Sequence, residues 1–142
     1  MAVASNPDQI REQWRARLTD LIGQIQNWAN NLGWATRQID VSVDDSELGR
    51  YSLPALLIQE GGIRILVEPV THSAPGADGV VDLYLMPGYD DIASLYSIEG
   101  DWKLHYMFPG TSAVATIRDA ESKSLTCDSL REVLDEMKKN AV

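Results

Sequence analysis

The chain has 142 residues, of which 44% are apolar and 23% are charged, and its formal net charge is −9. This length and composition are typical of one globular domain, so we expect residues 1–142 to form a single domain with one core. The 12 Lys and Arg against 21 Asp and Glu, without a basic cluster, argue against binding to nucleic acid or to an anionic membrane.

The cysteine content and the N-terminal sequence indicate the cellular compartment in which the protein is expected. Cys127 is the single cysteine and cannot form an internal disulfide, which favours a reducing environment. The N-terminus lacks a basic stretch followed by an apolar run, so no signal peptide is predicted. No apolar stretch approaches the roughly 20 residues of a membrane-spanning helix. The sequence therefore predicts a soluble, cytoplasmic protein.

The first predicted element is a long amphipathic helix that begins after Asn6. Asn6 is suited to cap it, Pro7 to its first position, and Gln9 to complete a capping box. Gly33 provides the left-handed residue that ends it near Leu32. Apolar residues at three- and four-residue spacing predict one buried face, made of Ile10, Trp14, Leu18, Leu21, Ile22, Ile25, Trp28, Ala29 and Leu32.

A half-buried strand is predicted next, beginning near Trp34. Ile39, Val41 and Val43 alternate with polar residues, which is the period of a strand with one buried face. Residues 44–50 are polar and predict a loop.

The Gly61-Gly62 pair predicts a β-hairpin. Two β-rich runs, 53–59 and 63–68, flank these glycines, which accept the positive φ angles of a two-residue turn. Such a turn places Ile58 opposite Ile65, Leu56 opposite Val67 and Gln59 opposite Arg64.

The middle of the chain predicts a loop, a strand and another hairpin. Residues 70–79 form the loop, and residues 80–86 form a strand that Pro87-Gly88 ends. Runs 93–98 and 102–108 then flank a predicted turn at Gly100-Asp101. That turn sets Leu95 opposite Tyr106 and Ser97 opposite Leu104.

The C-terminal part predicts a last strand and a closing helix. Residues 113–118 suit the strand, and the helix begins near Asp128 or Ser129, with Ser129 and Glu132 at capping-box spacing. Residues 138–142 are expected to fray. The apolar stripe of the helix comprises Leu130, Val133, Leu134, Met137 and Ala141.

These elements together predict an α+β fold. We expect one mainly antiparallel sheet of about six strands, with the N-terminal and C-terminal helices packed on one face.

No motif predicts a catalytic, cofactor-binding or metal-binding residue. Neither a phosphate-binding loop nor a Gly-x-Ser-x-Gly elbow occurs, and neither histidine has a ligand at metal-binding spacing.

Two aromatic residues next to turns predict a contact surface. Tyr89 follows Gly88, and Trp102 follows the Gly100-Asp101 turn. Exposed Tyr and Trp bury large areas when a partner binds, so Tyr89 and Trp102 are the predicted partner-binding residues.

Two functions are therefore open at this point. The first is a non-enzymatic protein-binding module, adaptor or chaperone-like, whose partner is another protein or a second copy of the chain. In size and charge the chain is similar to small acidic α+β secretion chaperones. The alternative is a small hydrolytic enzyme whose site is assembled from His72, Asp78 and His105.

Overall fold

The computed structural model describes residues 6–88, 90–106 and 123–140. A helix, α1, precedes seven antiparallel strands, β1 to β7, and a second helix, α2, follows them. Their bounds are α1 Pro7–Asn31, β1 Ala35–Asp45, β2 Gly49–Glu60, β3 Ile63–Thr71, β4 Val80–Met86, β5 Asp90–Ile98, β6 Asp101–Tyr106, β7 Lys123–Ser124 and α2 Cys127–Asn140.

The strands lie in the sheet in chain order, so each strand pairs with the next one in the sequence. The predicted α+β fold is confirmed, and the described residues form seven strands where about six were expected. Within the described ranges, neither helix combines the length and apolar character needed to cross a membrane.

The N-terminus of α1 is capped as predicted. Asn6 Oδ1 accepts a hydrogen bond from the Gln9 N–H at 2.8 Å, and the Asn6 N–H donates to Gln9 Oε1 at 3.4 Å. Pro7 occupies the first helical position. After the helix, Gly33 has φ of +94°, the left-handed conformation that glycine accepts without strain.

The core lies between the sheet and the helices. Both helices contribute to one buried cluster that also contains alternate residues of β2 to β6. The helices therefore cover the same face of the sheet. α1 buries Trp14, Leu18, Leu21, Ile22, Ile25 and Ala29, and α2 buries Leu130, Val133, Leu134 and Met137. Ile10, Trp28 and Leu32 flank the α1 stripe and are half-buried, which is less than the pattern predicts.

The loop predicted over 44–50 is shorter than expected. β1 continues to Asp45 and β2 begins at Gly49. The Asp45 carboxylate accepts hydrogen bonds from the Glu47 and Leu48 N–H groups, at 2.7 and 2.9 Å. This Asx-type turn closes the hairpin in few residues.

The register predicted around Gly61-Gly62 is confirmed. Ile58 pairs with Ile65, Leu56 with Val67, and Gln59 with Arg64. β3 runs on to Thr71, beyond the predicted end of its run, which shortens the loop predicted over 70–79. β4 has the predicted bounds.

The turn between β5 and β6 was predicted one residue too late. The turn residues are Glu99 and Gly100, with φ of +52° and +86°, so Ile98 pairs with Asp101. Leu95 consequently faces Leu104, and Ser97 faces Trp102. The prediction was wrong because Glu99, which is not a glycine, takes a left-handed conformation.

The cap of α2 also differs from the prediction. Thr126 Oγ1 accepts from the Ser129 N–H at 3.1 Å, and Ser129 Oγ accepts from the Thr126 N–H at 2.8 Å. Thr126 is therefore the N-cap, and Ser129 takes the third helical position. Glu132 is free of the cap and forms an ion pair with Lys123 at 2.9 Å.

The end of α2 is held in place and does not fray at Lys138. Lys138 Nζ lies 2.7 Å from Glu60 Oε2, at an angle too poor for a hydrogen bond but suited to an ion pair. The same ammonium lies 5.1 Å from the Trp34 ring centroid. The strand predicted over 113–118 and the stripe residue Ala141 lie outside the described residues.

We expect Thr126→Ala to lower the free energy of unfolding by about 1 kcal/mol, because it removes the side-chain acceptor for the Ser129 N–H. Thr19→Ala is the matched control, since Thr19 lies exposed inside α1 and its hydroxyl donates to the Arg15 carbonyl of the same helix. That substitution should be neutral or stabilising. Chemical denaturation measures both, and equal losses would show that Thr126 does not act as a cap.

Candidate functional site

Trp102 is the predicted partner-binding residue that the structure describes. It is the second residue of β6 and is half-buried. Its ring centroid lies 6.4 Å from that of Trp14, with an angle of 36° between the ring planes. One side of the Trp102 indole therefore packs on the core.

Arg17 fixes this pair of indoles. Its guanidinium carbon lies 5.7 Å from both ring centroids. The guanidinium also donates to the Asp78 carbonyl at 2.8 Å and to Ser97 Oγ. Arg17 thus joins α1 to β5 while its cation packs over both rings, an arrangement that stabilises aromatic side chains.

Gly79 allows the close approach of Trp14. A Cβ built on Gly79 would lie 2.5 Å from Trp14 Cζ3 and 2.8 Å from Cη2. Because these distances are shorter than van der Waals contact, a side chain at this position would displace the indole. The absence of a Cβ therefore sets the position of the Trp14–Trp102 pair.

An open cavity of about 330 Å³ lies beside Trp102. The other lining residues are Gln24, Gly100, Asp101, Ser124 and Leu125. We call this cavity, with Trp102, the Trp102 surface. It offers an aromatic wall, the half-buried Leu125 and several polar groups.

The rim of the Trp102 surface is acidic. Glu99 and Asp101 are exposed at the β5–β6 turn, and Asp20 is exposed on α1. Asp20 follows Arg17 by three residues and precedes Gln24 by four, so all three lie on one side of the helix. The carboxylates favour a partner with Lys or Arg at the matching positions.

Tyr89 lies outside the described residues, and its part in a contact surface stays a prediction.

His72 directly follows β3, and its ring lies beside the β1–β2 turn. Its Nδ1 is 3.2 Å from Asp45 Oδ2, in a geometry unfavourable for a hydrogen bond, and its Nε2 is 3.9 Å from Glu47 Oε2. Burial tends to raise the pKa of Asp45, but the hydrogen bonds from Leu48 and Glu47 and the neighbouring His72 together lower it. This carboxylate already closes a turn, which is a structural role.

The other two residues of the enzymatic alternative have different neighbours. The Asp78 backbone pairs with Ser97 and Arg17, and the ring centroid of His105 lies 6.5 Å from that of Tyr96. In the described part of the chain, no hydrogen bond or ion pair joins any two of His72, Asp78 and His105. The structure therefore brings no site together from these three residues.

Sequence reasoning missed a polar row on the sheet face opposite the helices. Asp82, Ser94 and His105 are cross-strand neighbours on β4, β5 and β6. Ser94 Oγ donates to Asp82 Oδ1 at 2.7 Å, and the Tyr84 hydroxyl donates to Asp82 Oδ2 at 3.2 Å. A nucleophilic serine needs its proton taken by a base such as histidine. Ser94 instead donates to a carboxylate, so this row satisfies a buried acid and does not form a triad.

The described residues contain no group of three or more His, Cys, Asp and Glu side chains placed to hold a metal ion. Cys127 is a free, half-buried thiol at the start of α2. Comparison with known proteins finds no matching family model, curated protein or solved structure.

Proposed function

We propose that this chain is a non-enzymatic protein-binding module, adaptor or chaperone-like, and that it binds through the Trp102 surface. The observation that carries the proposal is the 330 Å³ cavity beside the half-buried Trp102. Interfaces are centred on desolvated aromatic residues and surrounded by polar rims, and the Trp102 surface has this composition.

The rigidity of Trp102 favours binding. Its indole is held against Trp14 and Arg17 before any partner arrives. A side chain that is already fixed loses little conformational entropy on association, so more of the contact energy is available for affinity.

The charge of the rim defines the partner. Asp101 lines the cavity, Glu99 is exposed in the adjoining turn, and Asp20 is exposed one helical turn from Gln24, in a chain whose net charge is −9. The complementary ligand is a protein segment that inserts one large apolar side chain beside Trp102 and presents Lys or Arg to the rim. The same charge disfavours nucleic acid. Because the chain has a single cysteine and no internal disulfide is possible, we place the module in the reducing cytoplasm.

Selection from a random peptide library on the immobilised protein tests the proposal. We expect the selected peptides to contain Lys or Arg beside an aromatic residue or leucine. Trp102→Ala should weaken their binding by more than about 2 kcal/mol, roughly 30-fold. Sedimentation equilibrium on the protein alone determines whether a second copy occupies the surface.

A charge variant separates binding from folding, because Trp102 also packs on the core. Asp101→Lys changes an exposed rim residue and should weaken binding of the selected peptides about fivefold, with the midpoint of unfolding maintained. Asp40→Lys makes the same change on β1 and should leave binding intact. Peptides without basic residues, or equal affinity for both variants, would refute the proposal.

A further inference from the structure

We propose that a second cavity, on the other face of the β5–β6 hairpin, binds a small carboxylate with an apolar body. This cavity of about 180 Å³ is lined by Tyr96, Ile98, Lys103, His105 and residues 75–77. Consecutive strand residues point to opposite faces, so the Lys103 and Trp102 side chains leave β6 on opposite sides of the sheet. The inference goes beyond the proposed protein-binding function and does not depend on it.

The charge of the cavity opposes that of the chain. Lys103 contributes a cation and His105 an imidazole, and none of the described lining residues is acidic. Lys103 Nζ bonds the neutral Ser124 Oγ at 3.1 Å, and no carboxylate in the described ranges pairs with it. An ammonium group without a carboxylate partner, in a chain with a net charge of −9, is suited to an anionic ligand.

His105 is the second polar side chain in the wall of this cavity. Its Nδ1 is closed to solvent and has no hydrogen-bond partner among the described residues. The neighbouring Ser94 hydroxyl donates to Asp82 and has no proton left to offer. His105 can therefore reach a ligand only through the rest of its half-buried ring, which lines the cavity. An Nε2–H on that ring can donate to a ligand carboxylate.

The remaining walls define the body of the ligand. Ile98 is 41% exposed, which is unusually high for a large aliphatic residue in this chain. Tyr96, which also lines the cavity, is half-buried. The volume corresponds to about six water molecules at roughly 30 Å³ each. It admits one aromatic ring or branched aliphatic group.

A carboxylate of this kind comes from a free organic acid or from the C-terminal residue of a peptide. Titration of the isotope-labelled protein with benzoate, and separately with a short peptide ending in phenylalanine with a free carboxylate, distinguishes the sources by NMR. We expect saturable shifts of the Gly76, Ala77 and Lys103 amides with at least one probe. The tighter probe identifies the source. Benzamide and the amidated peptide should bind at least about tenfold more weakly.

Two variants test the site. Lys103→Met keeps the aliphatic stem and should weaken binding of the tighter probe at least about tenfold. Lys139→Met removes the same charge from an exposed position on α2 and should not. If Lys103→Met fails to fold, Ile98→Glu places a repelling carboxylate at the exposed wall and should abolish the shifts.

Three results would overturn the inference. The first is the absence of saturable shifts with both probes, and the second is equal binding of acids and amides. The third is unchanged affinity in a folded Lys103 or Ile98 variant. Peptide binding at the Trp102 surface can persist in each case, so this test and that of the proposed function fail separately.

Discussion

Ile25→Ala is expected to lower the free energy of unfolding by about 2–5 kcal/mol. Ile25 is fully buried in the C-terminal half of α1, within the cluster formed by both helices and the sheet. Truncation removes three carbon atoms from this cluster and leaves a cavity that the surrounding elements fill only in part. Urea denaturation, followed by fluorescence or circular dichroism, measures the loss.

Ile98→Ala provides the matched control for this prediction. The same atoms are removed, but Ile98 is 41% exposed on the opposite face of the sheet. Ile98→Ala should lower the free energy of unfolding much less than Ile25→Ala does, because the partly exposed Ile98 side chain buries less apolar surface on folding. Similar losses for the two variants would show that α1 does not pack on the sheet through this stripe.

Gly79→Ala is expected to cost about 1–3 kcal/mol, the range for overpacking in a core. The new Cβ would lie 2.5 Å from the Trp14 ring, and that indole is itself confined by Trp102 and Arg17. Neither ring can move without disturbing the Trp102 surface. The variant should therefore lose both stability and affinity for the peptides selected on this surface.

Gly23→Ala and a double variant complete the test. Nothing lies within 4 Å of a Cβ built on Gly23, which is inside α1, so alanine should stabilise the protein by up to about 1 kcal/mol. In the double variant Trp14→Leu, Gly79→Ala, the smaller Leu relieves the clash, and the cost should be less than the sum of the single costs. Additive costs would contradict direct contact between the two positions.

Elements with local signals could be predicted from the sequence. The α1 cap needs only Asn6, Pro7 and Gln9, which are close in the chain. The Gly61-Gly62 hairpin also follows from local chemistry, because the turn residues and the flanking alternation agree on one register.

The β5–β6 register could not be derived from the rule that a glycine-containing pair marks the two turn residues of a hairpin. A Gly-Asp pair suits a turn, but Glu99 and Gly100 are the residues with positive φ. An error of one residue in the turn moves every cross-strand pair by two. This error concealed the neighbouring positions of Ser94 and His105, and with them the polar row and part of the lining of the second cavity.

The Trp102 surface depends on contacts that no local pattern encodes. Arg17 and Ser97 are separated by 80 residues, and their contact requires α1 to lie across β5. Trp102 itself was found from its place beside a turn, but its packing on Trp14 was not predicted. Sequence periodicity places a residue on a face and does not identify the residue it meets there.

The most direct test of the proposed binding surface is NMR mapping with a capped peptide in which one phenylalanine is flanked on both sides by lysines. We expect saturable shifts of the Trp102 indole N–H and of the Gln24, Gly100, Asp101 and Leu125 amides, and weaker effects when glutamates replace the lysines. Shifts confined to other parts of the chain, such as β1, or equal binding of the acidic peptide, would contradict the Trp102 surface as the site of partner binding.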